Sequence, residues 1–416
     1  MSGRGPDVAG SASPITPVYI LSLGLLAATA PLSLDAYLPA LPAMARDFAV
    51  PAQVVQASLT ACMFGLGVGQ IVAGPLGDRF GRRVPMIIGA TVYTVASIAC
   101  AFAPSSTAFV AFRLIQGLAG AVGLVLSRAV VQDIAEGRTA TRLYAQMAAI
   151  SLAAPVLAPI AGALVITLDG GWRAVFGMLA ALGLLMLVAV VGVIGETHPA
   201  ERRASAAVRP VLRAFGSLLR DRSFRRYLLL VGVSSALLFS YISSAPFVLQ
   251  ETFGFSQFEF ALAFGAVGCG LVAVSLVTSR VIRRHSPLRV LTISALLQLC
   301  GVVALTVVLL LGLTFDSMPT VVLLAALVWA VAPSAAISPI CVSFAMGRSG
   351  RRAGAGSSLI GAVMFAAGGI VTPISGAAGT ALAMPLLMLV ASVALVVGIL
   401  TAARAARTDP SADDDS

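Results

Sequence analysis

Long uncharged, apolar runs separated by short clusters of charge set the pattern of this chain. A helix needs about 20 apolar residues to cross the hydrocarbon core of a bilayer. Uncharged runs of at least that length lie at 48–77, 84–112, 143–168, 174–195, 227–250, 260–279, 290–315 and 317–347. The run 353–403 is too long for one span, and "SGAAGTALAMP" (375–385) predicts a turn that divides it. Residues 16–44 form a further span interrupted only by Asp35, and 107–132 another interrupted by Arg113 and Arg128. The pattern predicts twelve membrane helices.

Placing the N-terminus in the cytoplasm puts 78–83, 134–142, 196–226, 280–289 and 348–352 on that side, with nearly every basic residue. The opposite loops keep Arg46 and Arg173 beside Asp47, Asp169, Glu251 and Asp316. The segment 196–226 carries eight Arg and separates six spans from six. The predicted organisation is a cytoplasmic tail (1–15), a six-helix half (16–195), a cytoplasmic linker (196–226), a second six-helix half (227–404) and a second cytoplasmic tail (405–416). Within the linker, Val208, Leu212, Phe215 and Leu219 recur at helical spacing opposite Arg209, Arg213 and Arg220. That fits an amphipathic helix on the inner leaflet; the alternative is a disordered basic linker.

Composition agrees with this picture. Of 416 residues, 59% are hydrophobic and 11% charged, far from the balance of a soluble domain. The net charge of +10 comes from Arg residues that lie nearly all in the cytoplasmic loops and flanks, so it is a topology signal and no nucleic-acid partner is expected. The five cysteines lie in apolar runs without metal spacing, so no metal, cofactor or disulfide framework is expected. The halves also echo each other. "LPALPAMARDFAVPAQVVQASL" between the first two spans has a counterpart in "SSAPFVLQETFGFSQFEFALAF" (243–264), and "GDRFGRRVP" (77–85) has a degenerate one in "VIRRHSPLR" (281–289). Two repeated halves around a midplane cavity is the layout of a secondary transporter.

In "GPLGDRFGRR" (74–83), Gly74, Gly77 and Gly81 allow close helix approach and a tight turn, and Asp78 is suited to cap a facing helix. Arg79, Arg82 and Arg83 supply donors for acids or lipid phosphate. The segment resembles the loop signature of the major facilitator superfamily, met by Gly74, Leu76, Asp78, Arg79, Gly81, Arg82 and Arg83. "RLIQG" (113–117) resembles its fourth-span signature. "APIAGA" (158–163) meets the antiporter signature of span five in part, through Pro159 and Gly162, with an additional Pro155. "LDAYLPALP", "GGWRAVF" and "SSAPFVLQETFGFS" look like the Bcr/CflA branch of bacterial drug–proton antiporters. The resemblance implies an all-α integral membrane protein with the major facilitator fold: twelve helices in two six-helix halves around a central cavity. It implies a location in the inner (plasma) membrane, with both termini cytoplasmic.

An ionisable group inside a span costs about 2.5–3.5 kcal/mol on insertion scales, so it normally faces a cavity or a partner. Asp35 is expected to be the protonatable coupling site; the alternative is a structural hydrogen bond. Arg113, roughly 12 Å into span four, is expected to tune it directly or through substrate, and Gln116 to share that network. For Arg113 the alternative is snorkelling towards headgroups. Asp133, at the cytoplasmic end of span four, is expected to pair with Arg82 or Arg79 in a latch that Arg128 joins. Tyr37, Met63, Phe64, Tyr241, Ser244 and Phe247 are candidate cavity residues, with packing the alternative for each. The second half has no charge deep in a span, but offers Ser234, Ser235, Ser240, Ser243, Gln298 and Trp329.

The function expected is proton-coupled efflux of small, largely lipophilic drugs (bicyclomycin- or chloramphenicol-like, or multidrug) by alternating access, with the protein acting as a monomer in contact with membrane lipid. The alternative is a metabolite or sugar porter of the same fold. Two His at cytoplasmic edges (His198, His285), with no nucleophile or metal constellation, argue against an enzyme. The chain has no P-loop to suggest ATP-driven transport.

Overall fold

Prolines decide the shape of the first span. Pro31 has no N–H for the Ala27 carbonyl and Pro39 none for the Asp35 carbonyl, so the helical ladder is interrupted just before Pro31 and again after Asp35. In a computed structural model, which describes residues 16–203, 208–315, 319–377 and 381–408, this span is three pieces. They are α1 (Pro17–Ala27), α2 (Thr29–Asp35) and α3 (Leu41–Asp47), with a 3-10 turn at Leu38–Ala40. The path bends by 50° between Ala27 and Thr29. Asp35 is therefore the last residue of a short helix, beside a break in the backbone.

The remaining helices of the first half are α4 (Ala52–Phe80), α5 (Arg83–Ala101), α6 (Ser106–Ile134), α7 (Gly137–Val165) and α8 (Gly171–Gly192). After α9 (Val208–Arg220) in the linker come α10 (Arg222–Phe247), α11 (Gln257–Val281), α12 (Pro287–Phe315), α13 (Thr320–Val331), α14 (Ser334–Gly347), α15 (Ala353–Ala377) and α16 (Ala383–Thr408). Polar residues start several of them. Ser105 Oγ accepts the Ala108 N–H at α6, Asp221 accepts the N–H groups of Ser223 and Phe224 at α10, and Ser256 with Glu259 forms a capping box at α11. The run 317–347 is one span in two pieces, because Pro333 cannot donate to the Trp329 carbonyl; Gln298 Nε2 donates to Ser334 Oγ at 2.6 Å beside that break.

Among the described residues eleven helices are long and apolar enough to cross a membrane, and the bent first pair brings the number to twelve. No strand occurs among the described residues. The two six-helix halves meet along α4 with α15 and α7 with α11. Within the first half α4 and α6 approach closely, Gly117 lying against the Cys62 backbone where a side chain would not fit. Leu, Ile, Val and Phe on the outer helix faces, such as Ile88, Leu164, Leu276 and Val390, are exposed as a lipid-facing surface requires.

In the linker, α9 is the amphipathic helix expected, with Phe215 and Leu218 buried and Arg213 and Arg220 exposed. Leu219, expected on the buried face, is 40% exposed because Leu218 takes its place in the packing against α10 and α15. The side chains of Val208, Arg209 and Leu212 lie outside the described residues, as does the tail 1–15. The helix α16 extends through 404 to Thr408; residues 409–416 lie outside the described ones.

Candidate functional site

Asp35 lines a cavity of about 210 Å³ where the two halves meet. Its walls come from α2, α7, α10, α11 and α15, through residues such as Pro155, Phe239, Tyr241, Phe264 and Phe365. The Asp35 residue is 5% exposed, and its carboxylate makes no hydrogen bond or ion pair among the described residues. The lining is otherwise apolar except for the Tyr241 hydroxyl, which is buried without a hydrogen-bond partner among the described residues. The Tyr241 ring stacks on Phe264 with centroids 5.5 Å apart. One carboxylate and one phenol thus face a small apolar chamber.

The antiporter-like segment of α7 holds this arrangement together. Pro155 lines the cavity and Pro159 is buried. At Gly162 the two backbones come so close that any side chain would collide with the Ala36 carbonyl, next to Asp35. Glycine is what lets α7 brace the break in span one.

Arg113 is fully buried on α6, so it does not snorkel. It does not pair with Asp35. One guanidinium nitrogen donates to Gln116 Oε1, and another to the Ser33 carbonyl at 2.8 Å. Gln116 Nε2 donates in turn to Ser97 Oγ at 2.6 Å. The guanidinium lies 4.4 Å from the Tyr37 ring centroid and 5.7 Å from that of Phe176, so aromatic faces stabilise the charge in place of an acid. Ser33 sits in the last turn of α2, where helix carbonyls run out of intrahelical donors. Arg113 therefore reaches Asp35 through the backbone, as a cationic cap on the helix that ends at Asp35. Ser33 Oγ and the Tyr93 hydroxyl, 2.8 Å apart, secure the same turn.

At the linker end a second constellation forms. Arg82 Nε donates to Asp133 Oδ2 at 2.8 Å and its Nη1 to Asp78 Oδ1 at 2.7 Å. Arg82 and Asp133 are largely shielded, with 9% and 15% of their side chains exposed, which distinguishes them from an ordinary surface pair. Thr197 Oγ1 also donates to Asp133, at 3.0 Å. The cap on α5 is supplied by Glu196 and not by Asp78: Glu196 accepts the Arg82 N–H at 2.8 Å and the Arg83 N–H at 3.3 Å. Asp78 is occupied by Arg82, four residues on. Gly81 turns the chain at φ +85°, and Glu196 fills the space a side chain there would need. Arg83 donates to the Val191 carbonyl at 2.6 Å.

Several expected members stand apart. Arg79 lies over the Phe80 ring, outside the cluster. Arg128 is exposed and contributes only its carbonyl, to the Tyr144 hydroxyl. Gly74 has nothing within 4 Å of where its side chain would begin, so it makes no close helix contact. Of the candidate cavity residues, Tyr241 lines the central chamber. Ser244 and Phe247 line a separate pocket of about 130 Å³ near the end opposite the linker, with Gln56 and Ser375. Tyr37 and Met63 are buried in the first half, Tyr37 donating to or accepting from Ser58 Oγ at 3.0 Å. Phe64 is 59% exposed on the outer surface and is not a cavity residue: an i+1 neighbour of inward-facing Met63 points away on a helix. Trp329 is 47% exposed for a similar reason. Sequence reasoning missed Glu196 and Thr197. The signal available was an acidic residue and a hydroxyl, "ET", directly after an apolar span that returns to the same end.

The contacts between the halves are asymmetric. Gln56 Nε2 donates to the Ser243 carbonyl at 2.8 Å, Thr60 Oγ1 to Gly369 at 3.0 Å, and Gln250 Nε2 to Pro39 at 3.1 Å. Arg46 and Glu251 add an exposed ion pair at 3.6 Å. These contacts lie in the part of the molecule away from the linker; among the described residues no hydrogen bond or ion pair joins the halves at the linker end. Nearby, Trp172 Nε1 and Arg173 Nη1 both donate to Asp47, which fixes the end of α3 to the start of α8.

With this geometry in view, comparison with known proteins decides the family. The model of the Major Facilitator Superfamily matches residues 23–373. The chain belongs to the major facilitator superfamily. It is 35% identical over 358 residues to an uncharacterised MFS-type transporter, YdgK, of Bacillus subtilis, covering 85% of this chain and 87% of that one. It is 29% identical over 354 residues to a bicyclomycin resistance protein homolog of Haemophilus influenzae, again covering 85% and 87%. The solved structure of a mutant of the nucleoside transporter NupG superimposes with a TM-score of 0.73 at 15% identity, over 92% of this chain and 99% of that chain, which is a likeness of fold. As a superfamily member the chain is a multi-pass membrane transporter of small molecules, and that family and fold are those of transporters and not of enzymes.

Proposed function

We propose that this transporter exports small, largely lipophilic drugs in exchange for protons, as a Bcr/CflA-type antiporter of the bacterial inner membrane. The observation that carries the reading is the chamber between the halves, apolar apart from the Asp35 carboxylate and the Tyr241 hydroxyl. Such a chamber suits an apolar ligand with few polar groups. The likeness to a bicyclomycin resistance homolog supports the drug class. A sugar or metabolite porter of this fold would be served by a chamber richer in amides and charges, so that reading is the less favoured.

In the proposed cycle the linker end faces the cytoplasm, as the basic loops suggest, and the arrangement described is the inward-facing one. Gln56, Thr60 and Gln250 hold the periplasmic side shut while Asp35 is reached from within. Drug enters from the cytoplasm as Asp35 gives up its proton to that side, so the loaded chamber holds Asp35 deprotonated. Reorientation exposes the chamber to the periplasm, where a proton neutralises Asp35 and the drug leaves; the protonated carrier then resets. Arg113 holds the turn that presents Asp35, and the Arg82–Asp133 latch biases one arrangement of the first half against the other. The test is drug-susceptibility profiling of cells expressing the protein against an empty vector. Raised tolerance to a subset of lipophilic drugs, lost on dissipating the proton gradient, is expected. Unchanged susceptibility across a broad panel would reject the export reading.

A further inference from the structure

The outer surface carries two apolar grooves of comparable size, and they differ at one end. The groove on α4, α5 and α6 holds about 560 Å³ and is lined without a single charged or hydrogen-bonding side chain, by residues such as Val72, Phe80, Ile88 and Val122. The groove between α11 and α12 holds about 460 Å³. Its walls are Val277, Val281, Ile293 and Leu297, but its linker end is closed by His285 and Arg289. Val277, Ile293 and Leu297 are each about half exposed, so the groove opens outward to the bilayer.

Among the described residues the charge at that end meets no acid. Arg280, Arg283, Arg284 and Arg289 crowd the turn between the two helices, and the chain has no Asp or Glu between Glu259 and Asp316. Among the described residues none of these four makes an ion pair, and the Arg289 side chain makes no hydrogen bond. The groove also has the right depth. From Ala273 to Val281 and from Arg289 to Leu297 its walls run eight residues, about 12 Å at the helical rise, close to the ~15 Å of hydrocarbon in one leaflet.

We infer that the α11–α12 groove is a binding site for an anionic glycerophospholipid, with an acyl chain along Val277, Ile293 and Leu297 and the phosphate held by Arg289 and His285. The inference needs only that the protein sits in a membrane; it does not depend on the transported substrate or on proton coupling. Basic pockets between membrane helices at the headgroup level are suited to anionic lipids, and each surface Arg contributes about five-fold in affinity. The second groove, with the same apolar character and no basic residue in its lining, serves as the internal control.

The experiment is native mass spectrometry of the detergent-purified full chain, titrated with dioleoylphosphatidylglycerol or dioleoylphosphatidylcholine. The wild-type protein is expected to retain phosphatidylglycerol in clear preference to phosphatidylcholine. Arg289→Gln is expected to reduce that retention about five-fold, and adding His285→Gln to reduce it further. Thr278→Trp, which fills the groove without touching its charge, should also reduce it, whereas Ile88→Trp in the control groove should not. Excess inorganic phosphate should fail to displace the lipid if chain and headgroup are held together. All four substitutions are at the outer surface, and unchanged melting temperatures would verify that each variant is folded. Equal retention of the two lipids, or phosphatidylglycerol retention unchanged in Arg289→Gln/His285→Gln, would overturn the assignment. So would full displacement by phosphate, which would reduce the site to a general anion site.

Discussion

The two halves share a fold and treat charge in opposite ways. In the first half the loop after α4 folds Arg82 between Asp78 and Asp133 and caps α5 with Glu196, so its central arginine is held by two acids. The corresponding loop of the second half, 281–289, carries Arg283, Arg284 and Arg289 with no acid on either adjoining helix beyond Glu259 at the far end of α11. The membrane interior repeats the contrast. The first half buries Asp35 and Arg113, while the spans of the second offer hydroxyls, amides and apolar walls. Even the backbone follows suit: span one is broken by prolines at its acidic residue, whereas α10 runs unbroken from Arg222 to Phe247. Among the described residues the charges buried within the spans are thus concentrated in the first half.

The largest effect that would break this comparison is expected at Arg113. Arg113→Ala leaves the Ser33 carbonyl and Gln116 without their donor, at about 1–3 kcal/mol for each buried acceptor left unpaired. Export is expected to fall by at least about tenfold and the melting temperature of the purified protein to drop. Arg113→Lys keeps the charge but not the planar fork, so partial recovery is expected. If Arg113→Ala transported normally, the cap on α2 would have no function.

Next in size is Gly162→Ala. The added methyl meets the Ala36 carbonyl, and overpacking of this kind costs about 1–3 kcal/mol. Thermal unfolding in detergent should show it, together with reduced export. A smaller effect is expected from the latch. A double-mutant cycle on Arg82→Ala and Asp133→Asn should give a coupling of about 0.5–3 kcal/mol, and additive losses would show that the two residues act separately. The smallest effect is expected at Phe64, where Phe64→Ala on the outer surface should change stability by no more than about 0.5 kcal/mol and leave the drug profile intact. By contrast, Tyr241→Phe removes the chamber's one hydroxyl and should alter which drugs are tolerated while proton coupling persists.

The residues that were legible in the sequence were those whose physics is local. An apolar run of bilayer length is a span wherever it packs, so the twelve helices and the charge that interrupts the first could be read directly. That Asp133 meets Arg82 or Arg79 followed from the span count, which places them at one end of the molecule, and packing makes the partner Arg82. What depended on rotation about a helix axis was not legible. Met63 and Phe64 look alike in the sequence, and only packing turns one inward and the other to the outer surface. The Arg113 contact is a further case: two opposite charges in neighbouring spans suggest an ion pair, but the guanidinium's two terminal nitrogens go to an amide and a backbone carbonyl, and two aromatic rings lie against it. The cap on α5 comes from Glu196, distant in sequence, and no local rule identifies it.

The most direct test of the central claim, that Asp35 carries the coupling proton, is drug-induced proton release from purified protein in lightly buffered detergent solution. Wild-type protein should release protons on adding a transported drug, and Asp35→Asn should release none while still binding the drug. Undiminished proton release from Asp35→Asn would contradict the account and move the coupling site elsewhere.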